Sequence, residues 1–411
     1  MVGAGPAGST TAGLLAGLGW SVHVLERSRF PRAKACGECL NPGAVATLER
    51  LGLLDVVLHA GPAVLDGWEI RTESGATARG FFGPAAGPAL ALPRDRLDQA
   101  LLDRARSRGI VVEEGVRVES VRPGGRGLLP SADVREESGG LRTRRARVIV
   151  GADGLRSRVA RSLGVVRRSP RLRKLSFTAR VRGRGPAAGK GVLVLGDART
   201  VGLAPVEAGP RPSLWNATVV VRAPAAGGPR TGDPASLVRS ALLDAIPDWT
   251  RGPDIVDGPW ASGPFDWPMR RVTAPGVLLV GDAAGYFDPL TGQGIYRALT
   301  TAEWAAEAID GALRQNRVSS VDMRPYGSRL RRELRWSRAV QWAVEGVVSR
   351  APLRDAAIGR LARAPAALDA LLRVTGDARP AWTLLHPRSW LPLLRRPLPG
   401  TTMEIAIADR R

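Results

Sequence analysis

The glycine-rich stretch at the start of the chain, Gly3-x-Gly5-x-x-Gly8, constrains the fold more than any other feature. An Ala- and Leu-rich segment follows it, and the apolar run 22–25 then ends in Glu26. In a unit that binds a dinucleotide, the first glycine permits a tight turn, the second lets the backbone approach a pyrophosphate, and the third lets the helix pack on the strand. The helix N-terminus offers N–H groups to phosphates, and an acid about 20 residues on can bind the adenosine ribose. The stretch therefore predicts a dinucleotide-binding fold.

The strand that should precede this turn is short. A strand of about five residues normally leads into such a fingerprint, whereas only Met1 and Val2 stand before Gly3. We therefore expect the central sheet to lack most of its first strand, as a misplaced start or a truncation would cause.

Length and composition indicate a globular protein of two or three domains, since the chain has 411 residues with 44% hydrophobic and 24% charged residues. No uninterrupted run of about 20 apolar residues occurs, so no membrane-spanning helix is expected. The N-terminus enters a nucleotide fold and does not resemble a signal peptide. The cytoplasm is the expected location.

The net charge of +22 would ordinarily indicate nucleic acid or an anionic membrane as a partner. The basic residues are almost all Arg and are spread along the chain, with Lys only at positions 34, 174 and 190. This bias is typical of GC-rich coding with solvated faces. Because no helix-turn-helix, zinc or RNA-binding pattern appears, we expect no nucleic-acid partner.

Two cysteines, Cys36 and Cys39, follow a basic loop and enclose Gly37. They are too few for a disulfide framework. The C-x-x-C could be a redox pair or half of a metal site, although no second Cys or His cluster completes a metal site. We favour a third interpretation, a glycine-hinged loop with two small side chains.

Two further buried strands end in an acid next to glycine or alanine. Residues 146–150 run into Gly151-Ala152-Asp153-Gly154, and residues 276–280 run into Gly281-Asp282 and a helix of about 20 residues. Both strand ends suit close approach of backbone to a nucleotide. Between them, residues 170–262 alternate with frequent Pro and Gly, which predicts an antiparallel sheet that serves as a substrate platform.

The order GxGxxG with a terminal acid, then GADG, then GDAAG followed by GxG resembles the flavoprotein group of aromatic hydroxylases, flavin halogenases and geranylgeranyl reductases. The resemblance covers roughly residues 1–315 and implies FAD as cofactor. It implies an α/β fold with a Rossmann-like FAD-binding domain, an inserted antiparallel β-sheet substrate domain and a helical C-terminal region. The predicted bounds are 1–65, 93–169 and 263–318 for the FAD-binding domain, 66–92 and 170–262 for the substrate domain, and 319–411 for the C-terminal region.

The resemblance assigns site residues one by one. The ADP half of FAD would be held by Gly3, Gly5, Gly8 and Glu26, with Ala7 and Arg27 also binding the cofactor. Arg94, in its P-R-x-x-L-D setting, would meet the phosphate or ribityl region. The Asp153-Gly154 pair would lie near the pyrophosphate and the nicotinamide donor.

The remaining assignments concern the flavin end. Asp282 would accept a ribityl hydroxyl, and the backbone N–H groups of Gly292, Gly294 and Ile295 would face the flavin pyrimidine edge. A helix N-terminus there makes chemical sense, because reduced flavin carries negative charge that a helix dipole stabilises. Cys36 is the candidate to line the flavin face, and no catalytic residue is otherwise assigned.

Within the group, the details favour the geranylgeranyl reductases. Their Lys-x-Cys-Gly loop matches residues 34–37, and their P-x-x-G-x-G-I-Y segment matches residues 289–296. Aromatic hydroxylases usually have His at the position of Gly285 and Asn at that of Tyr296, and the W-x-W-x-I-P segment of halogenases is absent. The chain departs from the reductases at Cys39 and at Gln293, where they often have Glu.

Two functions remain open. In the first, NAD(P)H reduces FAD, and the flavin reduces a carbon–carbon double bond of an isoprenoid or similar hydrophobic substrate. In the second, reduced flavin reacts with oxygen and hydroxylates an aromatic or polyketide compound. A non-enzymatic role in flavin binding or electron transfer is a poorer third. The sequence leaves the oligomeric state open.

The C-terminal segment combines aromatic, leucine and arginine residues, which is how a segment at a membrane interface is built. These residues are Trp382, Leu384, Leu385, Trp390, Leu391, Leu393, Leu394, Arg395 and Arg396. We expect peripheral contact with the inner face of the membrane. The alternative is a helical lid over the substrate domain, and Pro387, Pro392 and Pro397 limit any long amphipathic helix.

Overall fold

The computed structural model describes residues 1–386 apart from 126, 138, 169, 184, 186–188, 210–212, 224–231, 247–248 and 250–251. The predicted membrane-contact residues from Trp390 onward lie outside the described residues.

The described strands, in chain order, are β1 His23–Leu25, β2 Cys39–Leu40, β3 Ala63–Leu65, β4 Gly67–Thr72, β5 Thr77–Phe81, β6 Ala89–Ala91, β7 Val111–Glu113, β8 Arg117–Arg122, β9 Ser131–Arg135, β10 Leu141–Arg145, β11 Ile149–Gly151, β12 Lys174–Arg182, β13 Lys190–Leu195, β14 Arg199–Pro205, β15 Leu214–Arg222, β16 Asp254–Ser262, β17 Thr273–Ala274 and β18 Val277–Leu279.

The described α-helices are α1 Pro6–Gly17, α2 Pro42–Arg50, α3 Leu54–His59, α4 Arg94–Arg106, α5 Arg158–Ser162, α6 Pro234–Ala245, α7 Gly294–Arg314, α8 Arg324–Val348, α9 Ala351–Arg363 and α10 Pro365–Thr375. Short 3-10 turns cover Gly281–Ala284, Pro289–Thr291 and Ala381–Leu385.

A parallel sheet forms the centre of the nucleotide fold, and the residues before the glycine turn complete it. β1 pairs with β7, and β11 pairs with β18. Val2 bridges the two pairs, lying parallel to both Leu25 and Gly151. Its N–H donates to Val150 at 2.8 Å and its carbonyl accepts from Ala152 at 2.8 Å. Val2 therefore holds the two halves of the sheet together.

Helices pack on this sheet through small residues. α1 contacts both α7 and α4, and its residues Ala7, Ala12 and Leu15 are buried. The carboxyl ends of β1, β11 and β18 and the N-terminus of α1 all meet at one edge, where ligands bind in open parallel sheets.

The second large sheet has seven strands in the order β16-β12-β15-β14-β13-β4-β5. Alternate residues of β12 divide its two faces. Phe177, Ala179 and Val181 pack on a cluster that includes α6, whereas Thr178 and Arg180 are buried on the opposite, polar face. Pairing is antiparallel except between β13 and β4, which run parallel. The sheet is therefore antiparallel as predicted apart from this one pair, in which β4 comes from the segment before α4.

A small three-stranded sheet, β2-β6-β3, connects the two large ones. Residues 89–91, which the prediction assigns to the substrate domain, form β6 and pair with β2 and β3.

The C-terminal region is helical, as predicted. α9 and α10 cover the β4–β5 end of the seven-stranded sheet. At the contact, a Cβ built on Gly80 would lie 2.7 Å from carbons of both Leu368 and Leu372, so only glycine lets α10 approach so closely. Leu384 is buried, whereas Trp382 is 57% exposed. Within the described residues, no helix is long and apolar enough to cross a membrane.

Candidate functional site

The three glycines of the N-terminal turn have different surroundings. Gly3 has φ +97°, and a Cβ there would lie 2.5 Å from the carbonyl oxygen of Ala152. A Cβ on Gly8 would overlap the carbonyl oxygen of Gly3. A Cβ on Gly5 would meet no backbone, and its nearest neighbour would be Nη2 of Arg32 at 3.5 Å. Gly3 and Gly8 are therefore required by the turn itself, whereas the space over Gly5 is open and faces a guanidinium group.

Two guanidinium groups border that space, and a lysine lies close to both of them. Arg94 makes a bidentate pair with Asp98, Nε to Oδ1 at 2.8 Å and Nη2 to Oδ2 at 2.7 Å. Arg32 Nη1 lies 3.1 Å from the same Asp98 carboxylate, which is fully buried. Lys34 completes the group, because its Nζ would lie 3.1 Å from a Cβ on Gly154. The buried Asp98 carboxylate thus forms ion pairs with both Arg32 and Arg94, close to the Lys34 ammonium group.

The local charge favours an anionic ligand. Burial, and after it the neighbouring Arg94 charge, lowers the pKa of Lys34. An anion placed over Gly5 would offset this repulsion and would also receive N–H groups from the start of α1. A pyrophosphate, with its two negative charges, fits these residues.

Glu26 is fixed at the end of β1 by backbone donors. Its Oε2 accepts from the N–H of Ala4 at 2.7 Å and its Oε1 from that of Ser28 at 2.9 Å. Each oxygen keeps a lone pair for a ribose hydroxyl. Of its predicted companions, Ala7 is buried, with its Cβ 3.0 Å from a Cβ built on Gly281, and Arg27 is exposed.

Asp153 serves the protein backbone. Its Oδ2 accepts from the N–H groups of Arg158 at 2.6 Å and Val159 at 3.2 Å, and its Oδ1 from the Ser157 hydroxyl at 2.6 Å. The carboxylate therefore anchors the start of α5, and this places Gly154, with φ +74°, beside Lys34.

The third strand end carries the residues predicted for the flavin. Asp282 is partly exposed, and no described residue donates a hydrogen bond to its carboxylate. Gly292 is left-handed, with φ +65°, and Gly294 begins α7. Cε2 of Tyr286 would lie 3.8 Å from a Cβ on Gly294. The structure thus brings an aromatic ring next to the helix N-terminus, with buried Ile295 just beyond.

The cysteine loop lies between the two large sheets. Cys36 packs in an apolar cluster that also contains Ile295, and both cysteines are free thiols. Glu38 anchors the loop: it accepts from the N–H of Arg94 at 2.9 Å, from Arg180 Nη2 at 3.0 Å and from Asn216 Nδ2 at 3.1 Å. The loop is therefore held by a buried carboxylate network that joins the nucleotide fold to the polar face of the seven-stranded sheet.

Some of these residues were not singled out by sequence reasoning. Asp98 lies four positions after Arg94 on α4, so helical spacing could have found it. The bidentate pair needs the helix register, whereas the contact of Arg32 with Asp98 crosses separate elements. Tyr286 follows the GDAAG motif, but nothing local places its ring over Gly294.

A family model described as an FAD binding domain matches residues 1–322. The chain is 31% identical over 341 residues to the menaquinone reductase of Mycolicibacterium smegmatis, covering 75% of each protein. It is 27% identical over 401 residues to digeranylgeranylglycerophospholipid reductase 2 of Methanopyrus kandleri, covering 92% of each. A shorter match, 33% over 181 residues and 40% of each chain, is to 6-methylpretetramide 4-monooxygenase of Streptomyces rimosus.

Among solved structures, the flavin-dependent halogenase CmlS has a TM-score of 0.71 at 26% identity. The match covers 82% of this chain and 62% of that protein. Proteins similar to this chain thus include reductases, a monooxygenase and a flavin-dependent halogenase.

Proposed function

The chain belongs to the FAD binding domain family of flavin-dependent oxidoreductases, and on that premise we propose that it uses NAD(P)H-reduced FAD to reduce a carbon–carbon double bond of a hydrophobic, isoprenoid-like substrate. The observation that carries the cofactor assignment is the open space over Gly5, bordered by the Arg32 and Arg94 guanidinium groups, with Lys34 beside Gly154 close to both. The similarity to two reductases supports reduction of the substrate over its oxygenation.

We assign residues of the described chain to four parts of the cofactor. The α1 N-terminus and the three cations would bind the pyrophosphate, Glu26 the ribose and Asp282 a ribityl hydroxyl, with the α7 N-terminus at the pyrimidine edge. When bound, FAD supplies the two-electron chemistry that links NAD(P)H to the substrate.

The surroundings of the 285–293 loop support an apolar substrate. On one side, Leu290 packs with a cluster from the seven-stranded sheet and the C-terminal helices. On the other, the ring centroid of Tyr286 lies 5.7 Å from that of Phe265, and the centroid of Phe287 lies 4.8 Å from that of Trp342. Phe265 and Phe287 are themselves buried, so a hydrophobic chain bound beside the loop would meet apolar surroundings and few polar groups that need desolvation.

Reduction of a double bond adds a hydride and a proton, and the chain must deliver the proton. We assign this role to Tyr286, whose ring lies against Gly294. Burial, followed by the charges of Asp282 and Asp288, raises the pKa of Tyr286 well above its usual value. A raised pKa makes the hydroxyl a weaker acid, so the assignment rests on the position of the Tyr286 ring beside the α7 N-terminus, where Cys36 also lies close.

The alternative is a flavin monooxygenase that acts on an aromatic or polyketide compound. The match to a monooxygenase over 40% of the chain supports it. The two proposals differ in their need for oxygen.

The mass of the product distinguishes them. Purified, FAD-loaded protein is incubated with NADPH or NADH and either isoprenoid lipids or aromatic polyketides, with and without oxygen. Reduction adds about 2 mass units under anaerobic conditions, since one hydride and one proton enter. A gain of about 16 that requires oxygen would replace the reductase proposal with the monooxygenase. As a control, Tyr286→Phe should still be reduced by NAD(P)H but should turn over substrate more slowly.

A further inference from the structure

The turn that follows α10 reaches into the flavin end of the site. The carbonyl of Gly376 accepts from the N–H of Gly43 at 2.8 Å. The carboxylate of Asp377 accepts from Asn41 Nδ2 at 2.8 Å and from Gln293 Nε2 at 2.7 Å. Asn41 and Gln293 are the residues that precede the first turns of α2 and α7. One carboxylate therefore ties together the beginnings of two helices.

The amide of Gln293 is held in one orientation by partners on both sides. Its Oε1 accepts from the hydroxyls of Ser337 at 3.1 Å and Thr291 at 3.2 Å. Its Nε2 points to Asp377. Gln341 Nε2 also donates to Thr291 at 2.7 Å. The residue just before Gly294 is thus fixed by side chains from α8 and from the turn after α10.

Resting on the FAD assignment above, we propose that Asp377 is a positioning residue for the flavin: through Gln293 it orients the α7 N-terminus, and its negative charge tunes the reduction potential. The residues that the family model matches end at 322. The C-terminal region therefore completes the cofactor site as well as covering the sheet.

The charged and titratable groups that face Asp377 are few within the described chain. Arg297 and Tyr296 of α7 interact with it electrostatically, while α2 contributes the neutral amide of Asn41. Enclosure of the carboxyl raises its pKa to about 7, against the opposing effects of Arg297 and the two amides. The group is therefore mostly neutral at pH 6 and mostly charged at pH 8.

At pH 8 the Asp377 carboxylate opposes the negative charge of reduced flavin and lowers the potential, whereas at pH 6 the protonated acid does not. Asp377→Asn removes the charge at every pH. It also turns an N–H of the new amide toward the Gln293 Nε2 donor.

The experiment compares FAD-loaded wild type with Asp377→Asn, Gln293→Glu, the double variant and Asp369→Asn. Asp369 is the matched control, because it lies on α10 and accepts from the N–H of Phe81 at 2.8 Å, away from α7. FAD dissociation constants and midpoint potentials are measured at pH 6 and pH 8.

We expect Asp377→Asn to bind FAD about tenfold more weakly, as loss of a hydrogen bond to a charged group implies. Its potential should exceed that of wild type at pH 8 by about 30 mV, the equivalent of a tenfold change for two electrons, and the difference should shrink at pH 6. The double variant, which exchanges carboxylate and amide but keeps the hydrogen bonds, should recover FAD affinity. Asp369→Asn should behave as wild type.

Two results would overturn the proposal while leaving the FAD assignment intact: equal potentials for wild type and Asp377→Asn at both pH values, or affinity loss in the double variant equal to the sum of the single losses. Failure of folded wild-type protein to bind FAD would instead remove the proposed function itself.

Discussion

Gly5 and Gly8 of the N-terminal turn have different surroundings, and substitution of each can test what those surroundings require. A Cβ at position 8 would overlap the carbonyl oxygen of Gly3, which belongs to the same turn. A Cβ at position 5 would contact no backbone atom. Its neighbours would be the ends of the Arg32 and Arg94 side chains, at 3.5 and 4.0 Å. A side chain at position 5 therefore competes with a ligand, whereas one at position 8 competes with the fold.

We predict that Gly5→Val abolishes FAD binding and leaves the melting temperature of the apoprotein nearly unchanged. Gly8→Ala should lower the melting temperature, because its Cβ would overlap the carbonyl oxygen of Gly3 and the packed turn would have to open. Flavin fluorescence titration and thermal unfolding of the two variants check this. Full FAD affinity in folded Gly5→Val would show that the pyrophosphate lies elsewhere.

Cys39 offers a second prediction at the scale of single residues. Its thiol donates to the carbonyl of Gly37 at 3.3 Å, and burial raises its pKa far above the usual value. A protonated thiol of this kind is a poor nucleophile. Cys39→Ser should therefore leave the rate of flavin reduction by NAD(P)H near wild type in stopped-flow measurements. A large loss in that rate would favour a thiol mechanism.

At the scale of elements, the contact between the cysteine loop and the seven-stranded sheet depends on Glu38. This carboxylate is 1% exposed and has φ 56°. It receives one backbone and two side-chain donors, including the guanidinium of Arg180, which is itself buried. Removal of the carboxylate would leave the Arg94 N–H and the Asn216 amide without their acceptor. It would also take from buried Arg180 one of its three carboxylate partners, the others being Asp95 and Asp257.

We predict that Glu38→Ala lowers the free energy of unfolding by about 3 kcal/mol, as expected when one partner of a buried ion pair is removed. Asp257→Asn is the control, because Asp257 pairs with the same Arg180 at 3.2 Å but its side chain is 47% exposed. That change should cost less than about 1 kcal/mol. Equal losses in urea unfolding of the two variants would contradict the role given to Glu38.

At the scale of the whole molecule, part of the net charge of +22 lies in a group of exposed arginines on α8. Arg331, Arg332 and Arg335 are exposed on this helix, with Trp336 37% exposed beside them. Trp382 is also exposed, just before the part of the chain that holds the predicted interfacial residues. On these features we propose peripheral binding to an anionic bilayer, which would also hold the long hydrophobic substrate proposed above.

We predict co-sedimentation with anionic vesicles at low salt and none with neutral phosphatidylcholine vesicles. Each Arg near an anionic surface contributes on the order of 1 kcal/mol, so high salt should release the protein. Deletion of residues 387–411 should weaken binding. Absence of sedimentation at low salt, or binding unchanged by the deletion, would remove this proposal.

The sequence by itself determined the class of fold and the family of FAD-binding proteins to which the chain belongs, because those signals are local. A glycine turn, the helix after it and the acid at the end of the next strand all lie within the first 26 residues, and their spacing reflects one strand–helix–strand unit. The long α7 and the helical C-terminal region are likewise encoded in composition and periodicity.

Only the tertiary structure decided which distant side chains meet. Gln293 and Asp377 are 84 residues apart, and Glu38 meets Asn216 across 178. The parallel pairing of β13 with β4 belongs to the same class of fact. Local periodicity says which face of an element is apolar, but it carries no information about which element will cover that face. The partner of each buried polar group is therefore chosen by the packing of the complete chain.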